Sequence, residues 1–166
     1  MYDDLIASAA DTYFVPESWI RAVIQVESSW NPSAFRAEPA INDASYGLMQ
    51  LLSTTARGLG YSGDPTGLYD PATNIALGAE LLGQLRAKYG DDFNRVYSAY
   101  NSGKPDAYLT STQVANDVAK AVAALATYVN QDVSALTSAV ASSPQSQSGA
   151  AFIVLVIMLL WTGRRK

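Results

Sequence analysis

Glu27 is the residue of this chain best placed to do chemistry. Residues 16–28 predict one helix, which begins with a proline suited to a first turn. Within it Ile20, Val23 and Ile24 form an apolar stripe. Glu27 continues this stripe seven residues after Ile20, so its carboxyl group is predicted to point toward the core.

The predicted surroundings of Glu27 disfavour its ionised form. Apolar neighbours would desolvate the carboxylate, and the carbonyl groups of the last helical turn present partial negative charge to it. Both effects raise the pKa, and a carboxyl group that stays protonated near neutral pH can act as a general acid. Two alternatives remain open, namely an exposed Glu27 at a frayed helix end and a Glu27 paired with Arg36.

Three short motifs follow one another along the chain. Residues 27–32 read Glu-Ser-Ser-Trp-Asn-Pro, residues 47–50 read Gly-Leu-Met-Gln, and residues 99–103 read Ala-Tyr-Asn-Ser-Gly. In this order and near this spacing, the chain resembles the lytic transglycosylase family, lysozyme-like enzymes that cut the glycan strands of peptidoglycan. A fourth, tyrosine-containing motif of the family resembles the segment around Tyr128, and the resemblance covers about residues 2–135.

The resemblance implies a reaction with a single catalytic acid. Glu27 would protonate the oxygen between N-acetylmuramic acid and N-acetylglucosamine, and the muramyl acetamido group would stabilise the developing positive charge. The resulting carboxylate would then take the proton of the sugar's 6-hydroxyl, which closes a 1,6-anhydro ring without water. Most glycoside hydrolases need a second carboxylate. Asp43 is the nearest candidate in sequence, but it belongs to none of the motifs.

The same resemblance implies a set of substrate-binding residues. Gln50 offers two donors and an acceptor for an N-acetyl or hydroxyl group. Tyr100 is expected to donate its hydroxyl to Glu27 or to the acetamido group, and Asn101 to shape the turn after a helix. Arg36 stands where the family commonly has a hydroxyl residue, and Ser45 is the candidate replacement. The predicted substrate-binding residues are Ser45, Gln50, Tyr100, Asn101 and Tyr128.

Two other functions remain open at this point. A true muramidase would use water in place of the 6-hydroxyl to capture the intermediate. A catalytically degenerate protein that binds the wall, or serves as a structural part of a virion, is the candidate from another class. The joint presence of Glu27, Gln50, Tyr100 and Asn101 favours an active enzyme.

The composition excludes several classes of chemistry. The chain has 166 residues without any cysteine or histidine. It therefore has no disulfide, and it lacks the commonest metal ligand and the usual base of a nucleophilic triad. No cofactor and no metal are predicted. The net charge is −4, and three of the basic residues are the terminal Arg164-Arg165-Lys166. Such an acidic domain is a poor partner for nucleic acid, whereas glycan strands suit it.

Local sequence signals predict where the helices that position these residues begin and end. Asp70-Pro71 predicts a helix start and Gly90 the end of that helix. Either Asp91 or Asp92 is predicted to cap the next helix. Other helices are predicted over about residues 2–14, 47–59 and 111–136, and a polar loop over residues 29–45. Because no strand longer than a few residues is predicted, we expect a mostly α fold. The family resemblance implies a lysozyme-like transglycosylase domain, to which we add a single C-terminal transmembrane helix.

The C-terminal region differs in composition from the rest. We expect a domain over residues 1–138, a Ser/Gln linker over residues 139–149 and a membrane anchor over residues 150–166. A helix over residues 149–163 would be roughly 22 Å long, shorter than the ~30 Å hydrocarbon core, which favours a buried helix. Its apolar character on every face, Trp161 and the basic end favour an anchor instead.

The expected partners and location follow from this anchor. Residues 150–163 are predicted to contact a lipid membrane, and the catalytic domain to contact peptidoglycan glycan strands. The N-terminus shows no signal-peptide pattern. We therefore expect the virion membrane of a membrane-containing bacteriophage, where the enzyme would open the wall during genome entry and other virion membrane proteins are candidate partners. The bacterial inner membrane facing the periplasm is the alternative location.

Overall fold

The computed structural model describes residues 1–142 of the chain. Six α-helices and one small sheet make up these residues, so the expectation of a mostly α fold is confirmed. In chain order the elements are α1 (Asp3–Tyr13), α2 (Glu17–Ser28), β1 (Phe35–Glu38), β2 (Asp43–Tyr46), β3 (Leu51–Leu52), α3 (Ser53–Gly58), α4 (Pro71–Tyr89), α5 (Phe93–Ser102) and α6 (Thr112–Ala141).

The chain divides into two units. The first unit is Met1–Tyr128, and the second begins at Val129. Of the second unit, the described residues 129–142 are helical through Ala141. The helix runs past the predicted end at about residue 136, because neither glycine nor proline occurs between Thr112 and Ala141 to stop it.

The core of the first unit is formed by four helices and the beginning of α6. Large, wholly buried side chains come from α1, α2, α4 and α5, others come from the turn before β3, and α6 adds Val118 and Ala121. The apolar stripe of α2 lies in this core, since Ile20, Val23 and Ile24 are all fully buried. Burial of one such side chain stabilises the fold by about 1.5–3 kcal/mol, so the position of α2 is firmly determined.

Two of the predicted helix starts are correct for the predicted reason. Asp70 accepts a hydrogen bond from the backbone N–H of Thr73 and caps α4, which ends at Gly90. Asp92, not Asp91, caps α5 by accepting from the N–H groups of Asn94 and Arg95.

The predicted helix over residues 47–59 is wrong in its first half. Gly47 and Gln50 have positive φ angles of 73° and 46°, which break the helical path, and only Ser53–Gly58 forms α3. The fully buried Asn74 holds this turn, because it accepts from the N–H of Met49 at 2.7 Å and donates to the carbonyl groups of Tyr46 and Leu68. These bonds come from α4, which residues 47–59 alone cannot reveal.

The predicted polar loop contains a β-hairpin. β1 pairs antiparallel with β2, from Phe35 opposite Tyr46 to Glu38 opposite Asp43. β2 in turn pairs with β3. Phe35 and Tyr46 meet edge to face on this hairpin. The hairpin therefore presents a defined surface next to the C-terminal end of α2.

No helix within residues 1–142 has both the length and the apolar character that crossing a membrane requires. The predicted anchor over residues 150–166 lies outside the described residues. Of the predicted linker over residues 139–149, the first three residues belong to α6, and residues 143–149 also lie outside the described part.

Candidate active site

A polar cleft is formed by the end of α2, the small sheet and the end of α5. Glu27 comes from the last turn of α2, Arg36 and Glu38 from β1, and Tyr100 and Asn101 from the end of α5. The residues that line it are Glu27, Arg36, Glu38, Ile41, Ser45, Gln50, Leu51, Leu52, Thr55, Leu81, Tyr100 and Asn101.

Glu27 lies in the wall of this cleft with a partly exposed side chain. Burial raises its pKa to about 7, and the nearby negative charge of Asp117 acts in the same direction. The hydrogen bond from Tyr97 and the positive charge of Arg36 oppose this rise but do not cancel it. Near neutral pH a substantial fraction of Glu27 is therefore protonated, which is the state a general acid requires.

Tyr97 is the residue that holds Glu27, and the sequence reasoning missed it. Its hydroxyl donates to Oε1 of Glu27 at 2.9 Å. The ring is wholly buried and stacks between Phe93 and Tyr100. The spacing of Phe93, Tyr97 and Tyr100 on one face of α5 was the available signal, because residues three and four apart share a helix face.

The expectation that Tyr100 donates its hydroxyl to Glu27 is wrong, and donation to the acetamido group of a bound substrate stays a prediction. That hydroxyl donates to the backbone carbonyl of Met49 at 2.7 Å. Tyr100 does line the cleft, so its ring is available as an apolar wall. Its bond also ties α5 to the turn that carries Gln50.

The side-chain amide of Gln50 is already used by the protein. Its nitrogen donates to the carbonyl groups of Ala34 at 3.1 Å and Gly47 at 3.0 Å. The expectation that Gln50 offers both donors to a ligand is therefore wrong, and its Oε1 is the atom left for one. The bonds support the positive φ of Gln50 and join the turn to the residue before β1.

Ser45 and Asn101 lie in the cleft wall with unused polar groups. Ser45 is 3% exposed on β2. Neither side chain forms a hydrogen bond within the described residues, where every buried side-chain nitrogen or oxygen has a partner. The Oγ of Ser45 is therefore not sealed from the cleft. Asn101 belongs to the last turn of α5, not to the turn after it as predicted, and Gly103 forms that turn with φ of 75°.

Tyr128 is not among the residues that line the cleft. Its hydroxyl accepts a hydrogen bond from the indole N–H of Trp30 at 3.2 Å, and the same N–H reaches the side-chain carbonyl of Gln25 at 2.9 Å. Trp30 follows α2 with a positive φ of 68°. Tyr128 thus contacts the segment directly after Glu27.

Arg36 pairs with Glu38 and not with Glu27. The Nε of Arg36 lies 2.5 Å from Oε1 of Glu38, and both side chains face the cleft from β1. This excludes the alternative in which Glu27 and Arg36 form the ion pair. It also adds Glu38 as a second carboxylate of the cleft, which the sequence does not indicate because its pattern predicts a loop over residues 29–45.

Asp43, the second acid considered from sequence, has a structural role. Its carboxylate accepts hydrogen bonds from the backbone and the hydroxyl groups of Ser53 and Thr54, and from the backbone of Ala44. These donors hold the pKa of Asp43 well below its usual range, despite an opposing contribution from burial. Within residues 1–142 no cluster of acidic side chains is arranged to hold a metal ion.

Comparison with known proteins identifies one matching family and several relatives. The family described as Transglycosylase SLT domain matches residues 4–117. The "Membrane-bound lytic murein transglycosylase C" of Shigella sonnei is 37% identical in a 116-residue alignment that covers 61% of this chain and 31% of that protein. The protein of the same name from Histophilus somni is 40% identical over the same shares. The match thus spans about a third of these relatives.

Solved structures of two lytic transglycosylases have a similar fold. An inactive mutant of the lytic transglycosylase Slt from Pseudomonas aeruginosa, in which a glutamate is replaced by glutamine, superimposes with a TM-score of 0.64 at 22% identity. It covers 77% of this chain and 24% of that one. The 70-kDa soluble lytic transglycosylase of Escherichia coli gives a TM-score of 0.54 at 27% identity, over 74% of this chain and 19% of that one.

Proposed function

Because the chain belongs to the Transglycosylase SLT domain family, we propose that it is a peptidoglycan lytic transglycosylase. It cleaves the β-1,4 bond between N-acetylmuramic acid and N-acetylglucosamine and forms 1,6-anhydro-muramic acid. The observation that carries this proposal is Glu27, a carboxyl group in the wall of a cleft whose pKa is raised to about 7. The names of its relatives, which are lytic murein transglycosylases, support the same substrate.

Glu27 acts first as the acid. Its proton passes to the glycosidic oxygen, the bond from that oxygen to the anomeric carbon breaks, and the N-acetylglucosamine portion leaves as an alcohol. The carbonyl oxygen of the muramyl acetamido group stabilises the positive charge left on the anomeric carbon. Proton transfer of this kind contributes about 10²–10⁴-fold to the rate.

The ionised Glu27 acts next as the base. It takes the proton of the 6-hydroxyl of the same muramyl residue while that oxygen bonds to the anomeric carbon. Glu27 ends protonated and ready for the next cycle, so no water is consumed. A pKa near the working pH suits a group that must both give and take a proton.

The other residues of the cleft bind the glycan. Ser45 Oγ and the side-chain amide of Asn101 form hydrogen bonds with hydroxyl and N-acetyl groups of the glycan. Gln50 contributes its Oε1 as an acceptor. The ring of Tyr100 packs against a sugar face. For Tyr128 we propose an indirect contribution, since its hydroxyl contacts Trp30, which follows the catalytic helix.

Product analysis tests this proposal. Purified peptidoglycan is digested with the protein, and mass spectrometry of the soluble fragments reads the muramyl end. We expect fragments lighter by one water than those of a hydrolytic muramidase digest run in parallel. Glu27→Gln should release none, and Glu80→Gln, on α4 outside the cleft, should release the parent amount. Fragments with an ordinary reducing end would overturn the transglycosylase assignment.

A muramidase is the second candidate, and Glu38 is the observation that favours it. A hydrolytic enzyme needs a second carboxylate near the scissile bond, and Glu38 lies in the same cleft as Glu27. Its pairing with Arg36 at 2.5 Å argues against a free base. If products carry water, loss of hydrolysis in Glu38→Gln would identify that base. A wall-binding protein without activity would release no fragments at all.

The location is part of the same proposal. We place residues 150–163 in a lipid membrane, supported by the uninterrupted apolar run Phe152 to Trp161 and the basic end. The preferred membrane is that of a bacteriophage virion, with local wall penetration during genome entry as the role. The bacterial inner membrane is the alternative. Antibody detection of the protein in purified virions, compared with host membranes, distinguishes the two.

A further inference from the structure

The hydroxyl of Tyr97 has one hydrogen-bond partner within the described residues, and that partner is Oε1 of Glu27 at 2.9 Å. Tyr97 is 0% exposed, so water does not reach its hydroxyl. A buried O–H group needs an acceptor. Burial and the neighbouring Glu27 also raise the pKa of Tyr97 well above its ordinary value, which keeps the phenol protonated. Tyr97 must therefore be the donor in this bond.

The other carboxyl oxygen of Glu27 is open. Every buried side-chain nitrogen or oxygen in the described residues has a hydrogen-bond partner, whereas Oε2 of Glu27 has none there. Oε2 is consequently accessible, and Glu27 lines the cleft. The two oxygens of this carboxyl group are thus inequivalent, because one faces a fixed donor and the other faces the place for a substrate.

We propose that Tyr97 is a positioning residue that keeps the acidic proton of Glu27 on Oε2, the oxygen open to the cleft. If Oε1 carried the proton, that hydrogen and the hydroxyl hydrogen of Tyr97 would face each other. The buried Tyr97 hydroxyl has no other acceptor within the described residues. The proton is therefore held on the side from which it can be delivered. When Oε2 gives it up, the Tyr97 hydroxyl donates to a charged carboxylate, and the bond strengthens.

This bond acts on the pKa of Glu27 in one direction. A donor to the ionised form lowers the pKa, and it opposes the larger upward effect of burial. The charged or titratable groups that act on Glu27 or share its cleft are Arg36 and Glu38 from β1, Tyr97 and Tyr100 from α5, and Asp117 from α6. Tyr97→Phe removes one donor and leaves the rest of this set in place.

The test compares the pKa of Glu27 in three proteins: the parent, Tyr97→Phe and Tyr100→Phe. The full chain is labelled with ¹³C at the glutamate carboxyl carbons, kept in detergent and titrated by NMR, and Glu27→Gln identifies the signal. Loss of a hydrogen bond to a charged group should raise the pKa by about one to two units in Tyr97→Phe. Tyr100→Phe is the matched control. It removes a neighbouring hydroxyl that donates to Met49 instead, and the pKa should stay at the parent value.

A second measurement asks whether the proton position matters for the reaction, and this part rests on the proposed function. In the pH profile of peptidoglycan cleavage, the alkaline limb of Tyr97→Phe should move up with the pKa, while maximal turnover falls by about 10–100-fold. A purely structural role would lower the melting temperature without moving that limb. Site-specific 3-fluorotyrosine in place of Tyr97, a more acidic donor of nearly the same shape, should shift the pKa and the limb downward.

The outcomes separate this inference from the proposed function. A pKa of Glu27 that is unchanged or lowered in Tyr97→Phe overturns the inference. An active Tyr97→Phe whose alkaline limb in the pH profile of cleavage matches that of the parent also overturns the inference. A parent protein without cleavage activity overturns the proposed function, while the expected pKa changes would still support the assignment of the proton to Oε2.

Discussion

Two carboxyl groups beside the small sheet show how the number of hydrogen-bond donors determines the pKa of an acid. Glu27 has one donor, the hydroxyl of Tyr97, and burial raises its pKa to about 7. Asp43 receives five hydrogen bonds, and its pKa is well below its usual range although burial acts upward there too. Only the poorly solvated acid with a free oxygen is suited to proton transfer.

The raised pKa of Glu27 predicts a stability that depends on pH. The folded chain holds the proton up to about pH 7, whereas the ordinary pKa of a glutamate side chain is 4.5. Its stabilising contribution is therefore complete below about pH 4.5 and is lost as the pH rises through 7. Glu27→Gln cannot ionise, so it should be more stable than the parent by roughly 3 kcal/mol at most at alkaline pH, and equal to it in acid.

Urea unfolding of both proteins at about pH 4 and about pH 8 measures this difference. Glu80→Gln, with a side chain on α4 outside the cleft, is the control and should show no such divergence between the two pH values. A parent that is as stable as Glu27→Gln at both pH values would contradict the buried, proton-holding carboxyl group.

At the scale of elements, the turn between β2 and β3 depends on α4. Asn74 binds Met49, Tyr46 and Leu68. Gly78 leaves room for the Met49 side chain, since a Cβ at that position would lie 2.3 Å from the Met49 sulfur. The same Met49 carries the carbonyl group that accepts from Tyr100. A substitution on α4 that displaces Met49 would therefore also displace the hydrogen-bond acceptor of Tyr100 in the cleft wall.

We predict that Gly78→Ala destabilises the fold by about 1–3 kcal/mol, because the added methyl group overpacks the core and displaces Met49. Activity per folded molecule should fall as well, since the displaced residue supports Tyr100. Gly58→Ala in α3 is the matched control, because no atom lies within 4 Å of its added Cβ, and it should be neutral or slightly stabilising. Thermal unfolding and cleavage assays give both numbers, and equal effects of the two changes would contradict the tight packing.

Asp43 allows a second prediction at this scale. Asp43→Ala removes the acceptor for the N–H and hydroxyl groups that begin α3, so unfolding should become easier by about 1–2 kcal/mol. Peptidoglycan cleavage at a temperature where the variant is folded should persist. Asp70→Ala, which removes the cap of α4 away from the cleft, should show the same pattern. Abolished cleavage in a folded Asp43→Ala would instead make Asp43 the second catalytic acid.

At the scale of the whole molecule, the first unit contains the complete cleft. All residues that line it lie before Val129, where the second unit begins. We predict that removing Ser148 to Lys166 leaves a monodisperse protein that still cuts purified peptidoglycan without detergent. The full chain should partition with detergent, because the apolar run Phe152 to Trp161 would not stay exposed to water.

Size-exclusion chromatography with light scattering, with and without detergent, checks this expectation, and cleavage is assayed on the same fractions. A full chain that is monomeric without detergent would contradict the membrane anchor. It would indicate that the apolar run packs against the protein itself. Loss of folding on truncation would point the same way.

Features set by local chemistry could be derived from the sequence alone. Asp70 and Asp92 cap their helices with their own side chains, and Gly90 ends α4, so each signal acts within a few residues. The inward orientation of Glu27 followed from the apolar stripe, whose period is that of the helix. The motifs carried the family resemblance, since chemistry constrains residue types that are close in sequence.

Only the tertiary structure decided which side chains meet. Tyr97 reaches Glu27 across 70 positions, and Tyr100 reaches Met49 across 51. The motif drew attention to Tyr100, but the tyrosine one helical turn before it is the one whose hydroxyl bonds Glu27. The pairing of Arg36 with Glu38 likewise exists because a hairpin forms where the sequence reads as a loop. Short strands are stabilised mainly by pairing with and packing against their neighbours, so the residues of one strand alone do not predict it.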